Sequence, residues 1–507
     1  MSTGKLGQWL ANVGSGYADI AVGGMVILLL TPLVIRTLGV EAYAAWILCH
    51  TIIFYLGFLD IGFGHAQVRF HARWSSPRSE PALRNLLSTS AAGLLSAGCI
   101  AMLVGLLMAV VVPASWFDAS PSLGGELRTA LVLLSVDLLL SFPAAVLGNL
   151  YSGAQRFDLA NARSIVLRLC TAAAQLYSLL HGGGIIALAA IQLGMTALRI
   201  AADLAILDRL LPHLLRVPVR FERRTWRGVK GYALWSAFED LLVDGSTQLE
   251  QLLIAILLPL ALLTPYSLFT TIAGVLLLAV GPLSETFLPM TAQWQAARDT
   301  PQLARLFRGG SKLALAIAVP AAVFLWYFGD AAVAYWSPEG AAGAPAGMLQ
   351  LIILNFLTSA FLTTSAMMLL AAGRVRTIAL LTALEIVLGV IVIVALVPAY
   401  GLKGVAGGLL IANLTLGFAV QVPIAAAAFG VGVASFLWTS LVRVLLAALP
   451  SCAVAILIKD RIHVNDPLDF ALAALAIGVC YLAGLALFGT TARERADYKL
   501  LWRELHQ

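Results

Sequence analysis

Charge is scarce in this chain: Lys, Arg, Asp and Glu together supply 11% of its 507 residues, against about 25% in an average soluble domain. Hydrophobic residues supply 60%, and the mean hydropathy is +0.92. So little polar surface excludes a water-facing globular fold, and because apolar runs recur almost to the C-terminus the bilayer is the solvent for nearly the whole chain. Cysteine is scarce as well. The five present (Cys49, Cys99, Cys170, Cys452 and Cys480) fall inside apolar runs and lack the short paired spacings of metal or redox motifs, so they read as small buried packing residues. No Gly-rich loop ending in Lys is present to cradle a nucleotide phosphate, which argues against ATP hydrolysis within the chain. Alternation of apolar and polar residues in segments of about ten is missing too, and with it the signature of a membrane β-barrel. The start of the chain lacks a short apolar stretch with a cleavage site. It runs from Lys5 through Gln8, Asn12, Ser15 and Asp19, so the first helix is expected to be retained.

What is present is a series of apolar runs of about twenty residues, the length that crosses a bilayer as a helix. They predict an all-α, polytopic membrane protein with helices near 8–35, 41–63, 86–112, 129–150, 164–181, 184–207, 232–258, 263–288, 312–329, 347–371, 377–397, 404–427, 441–458 and 468–489. With the N-terminus inside, most of the 32 Lys and Arg fall on the cytoplasmic side, in every inner segment and in the tail. Only Arg36, Arg128, Lys403, Lys459 and Arg461 fall on the other side. This asymmetry places both termini in the cytoplasm. The net charge of +6 is then a topology signal and calls for no nucleic-acid partner.

The most basic segment, 208–231, carries Arg209, Arg216, Arg220, Arg223, Arg224, Arg227 and Lys230 and separates two blocks whose local patterns recur in order. Leu38-Gly39 followed by Tyr43 and Trp46 has a counterpart in Leu262-Leu263 followed by Tyr266 and Phe269. The turn from Gly184 to Ala189 matches that from Gly401 to Ala406, and Gly153 with Arg156 matches Gly373-Arg374. The expected organisation is an N-terminal lobe (1–207), a basic cytoplasmic loop (208–231), a C-terminal lobe (232–440), and two further helices with a tail (441–507). Six helices per lobe is an even number, so the repeats enter the membrane from the same side and are related by an axis along its normal.

Several segments carry a resemblance across nearly the whole chain. They are Arg36-Thr37-Leu38-Gly39-Val40-Glu41-Ala42-Tyr43, then Leu59-Asp60-Ile61-Gly62-Phe63-Gly64 with Arg69, and Gly153-Ala154-Gln155-Arg156-Phe157 with Asn161. Tyr266, Phe287 with Pro289, and Pro398-Ala399-Tyr400-Gly401-Leu402-Lys403-Gly404-Val405 complete the set. In these the chain resembles the polysaccharide (O-antigen type) flippases of the multidrug/oligosaccharidyl-lipid/polysaccharide exporter superfamily, departing from them at Ala44-Ala45, where a Gly often follows the Tyr. The resemblance implies two lobes around a central cavity in a bacterial inner-membrane protein. It further implies alternating access, no enzymatic activity and a polyprenyl-diphosphate-linked oligosaccharide as cargo. Membrane lipids, and a polysaccharide polymerase with its chain-length machinery, would be the partners; no cofactor is implied beyond coupling to H+ or Na+. Lipopolysaccharide, O-antigen or exopolysaccharide synthesis is the corresponding process.

Charged and polar residues at membrane depth are costly, about 2.5 to 3.5 kcal/mol for a central Arg, Lys or Asp on insertion scales, and are functional candidates for that reason. On the seventh helix Asp240, Asp244, Thr247 and Gln251 form one stripe at i, i+4, i+7 and i+11, and on the first Asn12, Ser15, Asp19 and Gly23 repeat it. Each stripe reads either as a cavity lining with a coupling role or as interhelical hydrogen-bonding glue. Gln192, Thr196, Arg199 and Asp203 share a face of the sixth helix, and Arg168, Thr171, Gln175 and Ser178 a face of the fifth. Arg199 and Arg168, with Gln175 and Gln192, are the substrate-binding candidates because a planar guanidinium donates paired hydrogen bonds to phosphate. An i, i+4 pair between Arg199 and Asp203 is the competing reading. Glu285, between Pro282 and Pro289, and Glu385 are further acids available for coupling. Asp60, Glu41 and Asp158 stand near helix ends and read as caps or interfacial charges.

Two transporters of the same superfamily are alternatives to the oligosaccharide flippase: a cation-coupled multidrug antiporter and a lipid II-type flippase. Fourteen helices and the seven-cation central loop argue against the first, and the lack of an early Asp-Ala-Phe stretch argues against the second. A membrane polymerase or ligase would place its chemistry in a large outer loop, whereas the outer segments 113–128 and 330–346 are short.

Overall fold

A computed structural model describes residues 3–490 apart from 61, 65, 68–79, 112–120, 155, 216, 279, 282, 284–286, 288, 289, 292, 293, 296 and 462–465. The described chain is helical, as the apolar runs require: with no water in the hydrocarbon layer, each backbone N–H and C=O is satisfied within its own helix. The long helices are α1 (Thr3–Leu38), α2 (Val40–Gly57), α3 (Glu80–Val111), α4 (Pro121–Gly153), α5 (Phe157–Leu180), α6 (Ile185–Leu210) and α7 (Arg223–Leu257). They continue with α8 (Leu260–Leu278), α9 (Thr300–Trp336), α10 (Met348–Ala371), α11 (Val375–Tyr400), α12 (Leu402–Ala428), α13 (Val433–Asp460) and α14 (Pro467–Gly489). Each expected helix has its counterpart. Among the described residues, 12 helices are long and apolar enough to cross a membrane on those grounds alone. The two long helices outside that set are α5 and α7, which carry polar stripes. Several helices outrun the apolar stretch that predicts them, α9 most of all, because a helix continues into the interfacial layer while its backbone stays bonded.

The contacts divide the chain into two compact units, Met1–Thr264 and Pro265–Gln507. In the first, α4 packs between α3 and α6, α1 packs along α5, and α7 lies against α2. Gly39, with φ 88°, joins α1 to α2 in a single residue, a conformation that disfavours side chains. Its Asp60 closes the turn after α2, accepting from Gly62 N at 2.6 Å, in keeping with the capping role read for it. At the α4–α5 turn Arg156 donates to both oxygens of Asp158, at 3.0 and 3.1 Å, and this bond raises the guanidinium above its ordinary range.

In the second unit α10 packs between α9 and α12, and α11 runs along α12. Its core centres on stacked rings: Phe307 and Phe436 lie 4.2 Å apart and nearly parallel, with Phe429 at 5.4 Å from Phe307. Gly404 lets α12 approach α11 so closely that a β-carbon there would meet the backbone of Leu396 and Val397 at 2.8 Å. Asn413 on α12 donates to Asn355 Oδ1 and Ser359 Oγ of α10 at 3.0 and 2.9 Å. That is polar glue between helices of the kind membrane bundles use.

The cysteines correct the sequence reading. All five are free, but Cys49 alone is buried; Cys99 and Cys170 are exposed on their helices, and Cys452 and Cys480 are half-buried. An apolar run does not tell a core face from a lipid-facing one, because lipid is as apolar as the core and a thiol is tolerated on either.

Candidate binding cavity in the first unit

In the first unit α1, α4, α5 and α6 bring charged side chains together within the helix bundle. On α5 the residues Arg163, Ser164, Leu167, Arg168 and Thr171 recur at helical spacing, and on α6 Gln192, Met195, Thr196 and Arg199 do the same. The two faces line an open cavity of about 400 Å³. Three guanidinium groups, those of Arg163, Arg168 and Arg199, therefore converge on one space between α5 and α6.

Each guanidinium is anchored from behind by an acid. Asp203, fully buried on α6, forms an ion pair with Arg163 across the α5–α6 interface and lies 3.8 Å from Arg199 Nε one turn earlier on its own helix. The Arg163 guanidinium also sits 5.1 Å from the centre of the Tyr151 ring of α4, a cation–π contact. Arg168 Nη2 reaches Asp19 Oδ2 of α1 at 3.3 Å. Its guanidinium rests against Gly23, where a β-carbon would collide with Nη1. A turn or two away Asn161 of α5 donates to Ser15 Oγ of α1 at 3.0 Å. A third acid, Asp137, is 4% exposed on α4 beside Gln192 and Thr196 of the cavity wall, and its Oδ1 is buried without a hydrogen-bond partner. The acids lie behind the wall and the arginines form it. Arg168 and Arg199 keep side-chain exposures of 37% and 39% while spending only part of their five donors. The Nε atoms of Arg163 and Arg199 are buried without a hydrogen-bond partner.

Arg199, Arg168 and Gln192 thus come together, as the helical faces predict. Gln175, also on α5, is half-buried but does not line the cavity. The Arg199–Asp203 pair proposed as the alternative to cargo binding is present, and Asp203 is shared with Arg163. Asp19 and Ser15 of the α1 stripe turn to α5; the side chain of Asn12 lies outside the described residues. On α7 the same holds for Asp240, Asp244 and Thr247. Gln251 accepts from Thr51 Oγ1 of α2 at 2.8 Å and so ties α7 to α2. Glu285 is outside the described residues, and Glu385 is half-buried on α11 of the second unit. Among the described residues no group of three His, Cys, Asp or Glu is placed to hold a metal ion.

Two residues of the site escape the sequence reading. Arg163 passes as one more cation of an inner segment, because it stands five residues before Arg168 and so off the face formed by Arg168, Thr171, Gln175 and Ser178. Asp137 belongs to no run of polar residues. A lone acid in the middle of an apolar helix is nonetheless a signal by itself.

Several solved structures share this fold, among them the following three. The lipid II flippase MurJ in an inward closed conformation is 14% identical, with a TM-score of 0.70, over 94% of this chain and 98% of that one. An inward-facing multidrug resistance MATE family transporter of the MOP superfamily is 17% identical, with a TM-score of 0.65, over 82% and 96%. The MATE multidrug transporter DinF-BH is 14% identical, with a TM-score of 0.57, over 83% and 97%. No curated protein sequence matches the chain. The family whose sequence model matches residues 13–295 is described as "Polysaccharide biosynthesis protein". These residues are more than half of the chain and include all of the cavity, and the chain belongs to that family.

Proposed function

We propose that this protein is a flippase. It carries a polyprenyl-diphosphate-linked oligosaccharide from the cytoplasmic to the periplasmic leaflet of a bacterial inner membrane, by alternating access, for surface polysaccharide synthesis. The observation that supports this reading is the cavity in which Arg163, Arg168 and Arg199 converge at membrane depth. Neither a saccharide nor a hydrophobic drug needs three guanidinium groups there. A diphosphate does, because its clustered oxygens accept charge-assisted, fork-shaped hydrogen bonds. The low-dielectric protein around the cavity strengthens that attraction relative to open water. Gln192 and Thr196 offer further polar contacts to the headgroup, while the polyprenyl tail stays in lipid. Depleting the protein from cells that make the polysaccharide should leave the lipid-linked saccharide in the cytoplasmic leaflet; its appearance outside at an undiminished rate would refute the assignment.

The orientation follows from the cation asymmetry: residues 208–231 face the cytoplasm and 330–346 the periplasm. In a background lacking the five native cysteines, an impermeant maleimide added to intact cells should label Gly343→Cys and leave Arg224→Cys untouched. The opposite labelling pattern would invert the topology.

Coupling to H+ or Na+ is assigned to the α7 stripe, with Asp240 and Asp244 as the ion-responsive pair. Converting both to Asn should weaken the dependence of transport on an ion gradient. A double variant with wild-type rate and wild-type ion dependence would leave the stripe a packing role only.

A further inference from the structure

Release of cargo from the cavity poses an electrostatic problem. A guanidinium that binds anionic cargo at membrane depth must lose that partner when the cargo leaves, and an uncompensated charge there is costly. Two of the three arginines have a permanent answer in Asp203, which is fully buried and bridges Arg163 and Arg199 from behind the wall. Arg168 is anchored differently. Its partner Asp19 belongs to another helix, α1, is itself 22% exposed, and meets Nη2 at 3.3 Å with one oxygen only. The other oxygen, Oδ1, is buried with no hydrogen-bond partner. Arg168 therefore lies between two anion positions, Asp19 on one side and the cavity it lines on the other, held by a single long contact.

We propose that Asp19 is a release residue. It is a built-in substitute anion that takes up the charge of Arg168 as the cargo diphosphate departs and weakens the cavity's hold on cargo enough for turnover. The inference rests on the diphosphate reading of the cavity. With Asp19 present, cargo competes against an internal carboxylate for Arg168, so part of the attraction is already spent. With Asp19 neutral, the whole charge of Arg168 acts on cargo, and its departure strands a cation. Neutralising Asp19 should thus tighten binding and slow turnover together, a combination that loss of a packing contact does not produce.

The test uses the full-length protein in lipid nanodiscs for binding and in proteoliposomes for transport. Farnesyl diphosphate is the binding probe, and a short-chain polyprenyl-diphosphate saccharide the transported one. Asp19→Asn is expected to bind farnesyl diphosphate about fivefold tighter, the scale of one partly exposed ion pair. It should also lower both the KM and the maximal rate of transport, while Asp19→Glu restores wild-type behaviour. Asp19→Ser should repeat the Asn result and serves if the Asn variant does not elute as a folded protein. Inorganic pyrophosphate should displace the probe from wild type and variant alike; a probe it does not displace would sever the effect from the headgroup and overturn the proposal. Unchanged or weaker binding in both folded Asp19 variants, with Arg199→Ala still losing affinity, would overturn the release role and leave the diphosphate reading intact. Undiminished binding in Arg199→Ala would remove that reading and the release role with it.

Discussion

Arg199→Ala is expected to weaken cargo binding roughly ten- to hundredfold and to abolish surface polysaccharide in cells that depend on this protein. A hydrogen bond to a charged group contributes about 1.5 to 3 kcal/mol, and each 1.4 kcal/mol is tenfold in affinity. The variant should still fold, because Asp203 keeps its ion pair with Arg163 when Arg199 is lost. Arg199→Lys keeps the charge and gives up the planar fork, so an intermediate defect is expected. Quantifying surface polysaccharide alongside membrane-inserted protein separates lost transport from lost expression. Normal transport by Arg199→Ala would remove Arg199 from the cargo site.

The opposite balance, a stability defect with transport lost as its consequence, is expected at Asp203. This carboxylate is fully buried and is the shared partner of Arg163 and Arg199. Asp203→Asn preserves its shape but leaves two guanidinium groups facing each other with no intervening negative charge. Removing one partner of a buried ion pair costs about 3 to 5 kcal/mol, so the detergent-solubilised variant should melt well below wild type. Combining Asp203→Asn with Arg163→Met removes one of the stranded cations and should recover part of the loss, because residues in one ion-pair network couple rather than add. Losses that simply add in the double variant would show that the triad is not an energetic unit.

The contrast between these two residues shows what the sequence can display. The long helices are legible because bilayer thickness sets the length of an apolar run, whatever the helix packs against; the short ones at Pro212–Leu215 and Pro338–Ala341 are not. The faces of α5 and α6 are legible too: Arg168, Gln192, Thr196 and Arg199 stand at helical spacing on otherwise apolar stretches, and they meet in the cavity. Partnership between helices is what a one-dimensional pattern omits. The spacing that singles out Asp203 as an i, i+4 partner of Arg199 is silent on Arg163, 40 residues earlier, which also pairs with it. Nor does the stripe on α7 announce that Gln251 spends its carbonyl on Thr51, 200 residues away. Asp19 is a third case. Its stripe marks a polar face on α1, but only packing against α5 turns that face into a partner for Arg168. The cysteines mark the limit from the other side, since hydropathy alone does not tell core from lipid.

The central claim is that the guanidinium groups at membrane depth carry a diphosphate-linked lipid across the bilayer. It is tested most directly with purified protein in proteoliposomes, by following a fluorescent polyprenyl-diphosphate saccharide from one leaflet to the other with a membrane-impermeant quencher. Wild-type protein should move the probe, inorganic pyrophosphate should compete with it, and Arg199→Ala inserted to the same level should fall to the rate of empty liposomes. Equal rates for wild type and Arg199→Ala, or transport by wild type of a neutral polyprenyl saccharide as fast as of the diphosphate, would contradict the account.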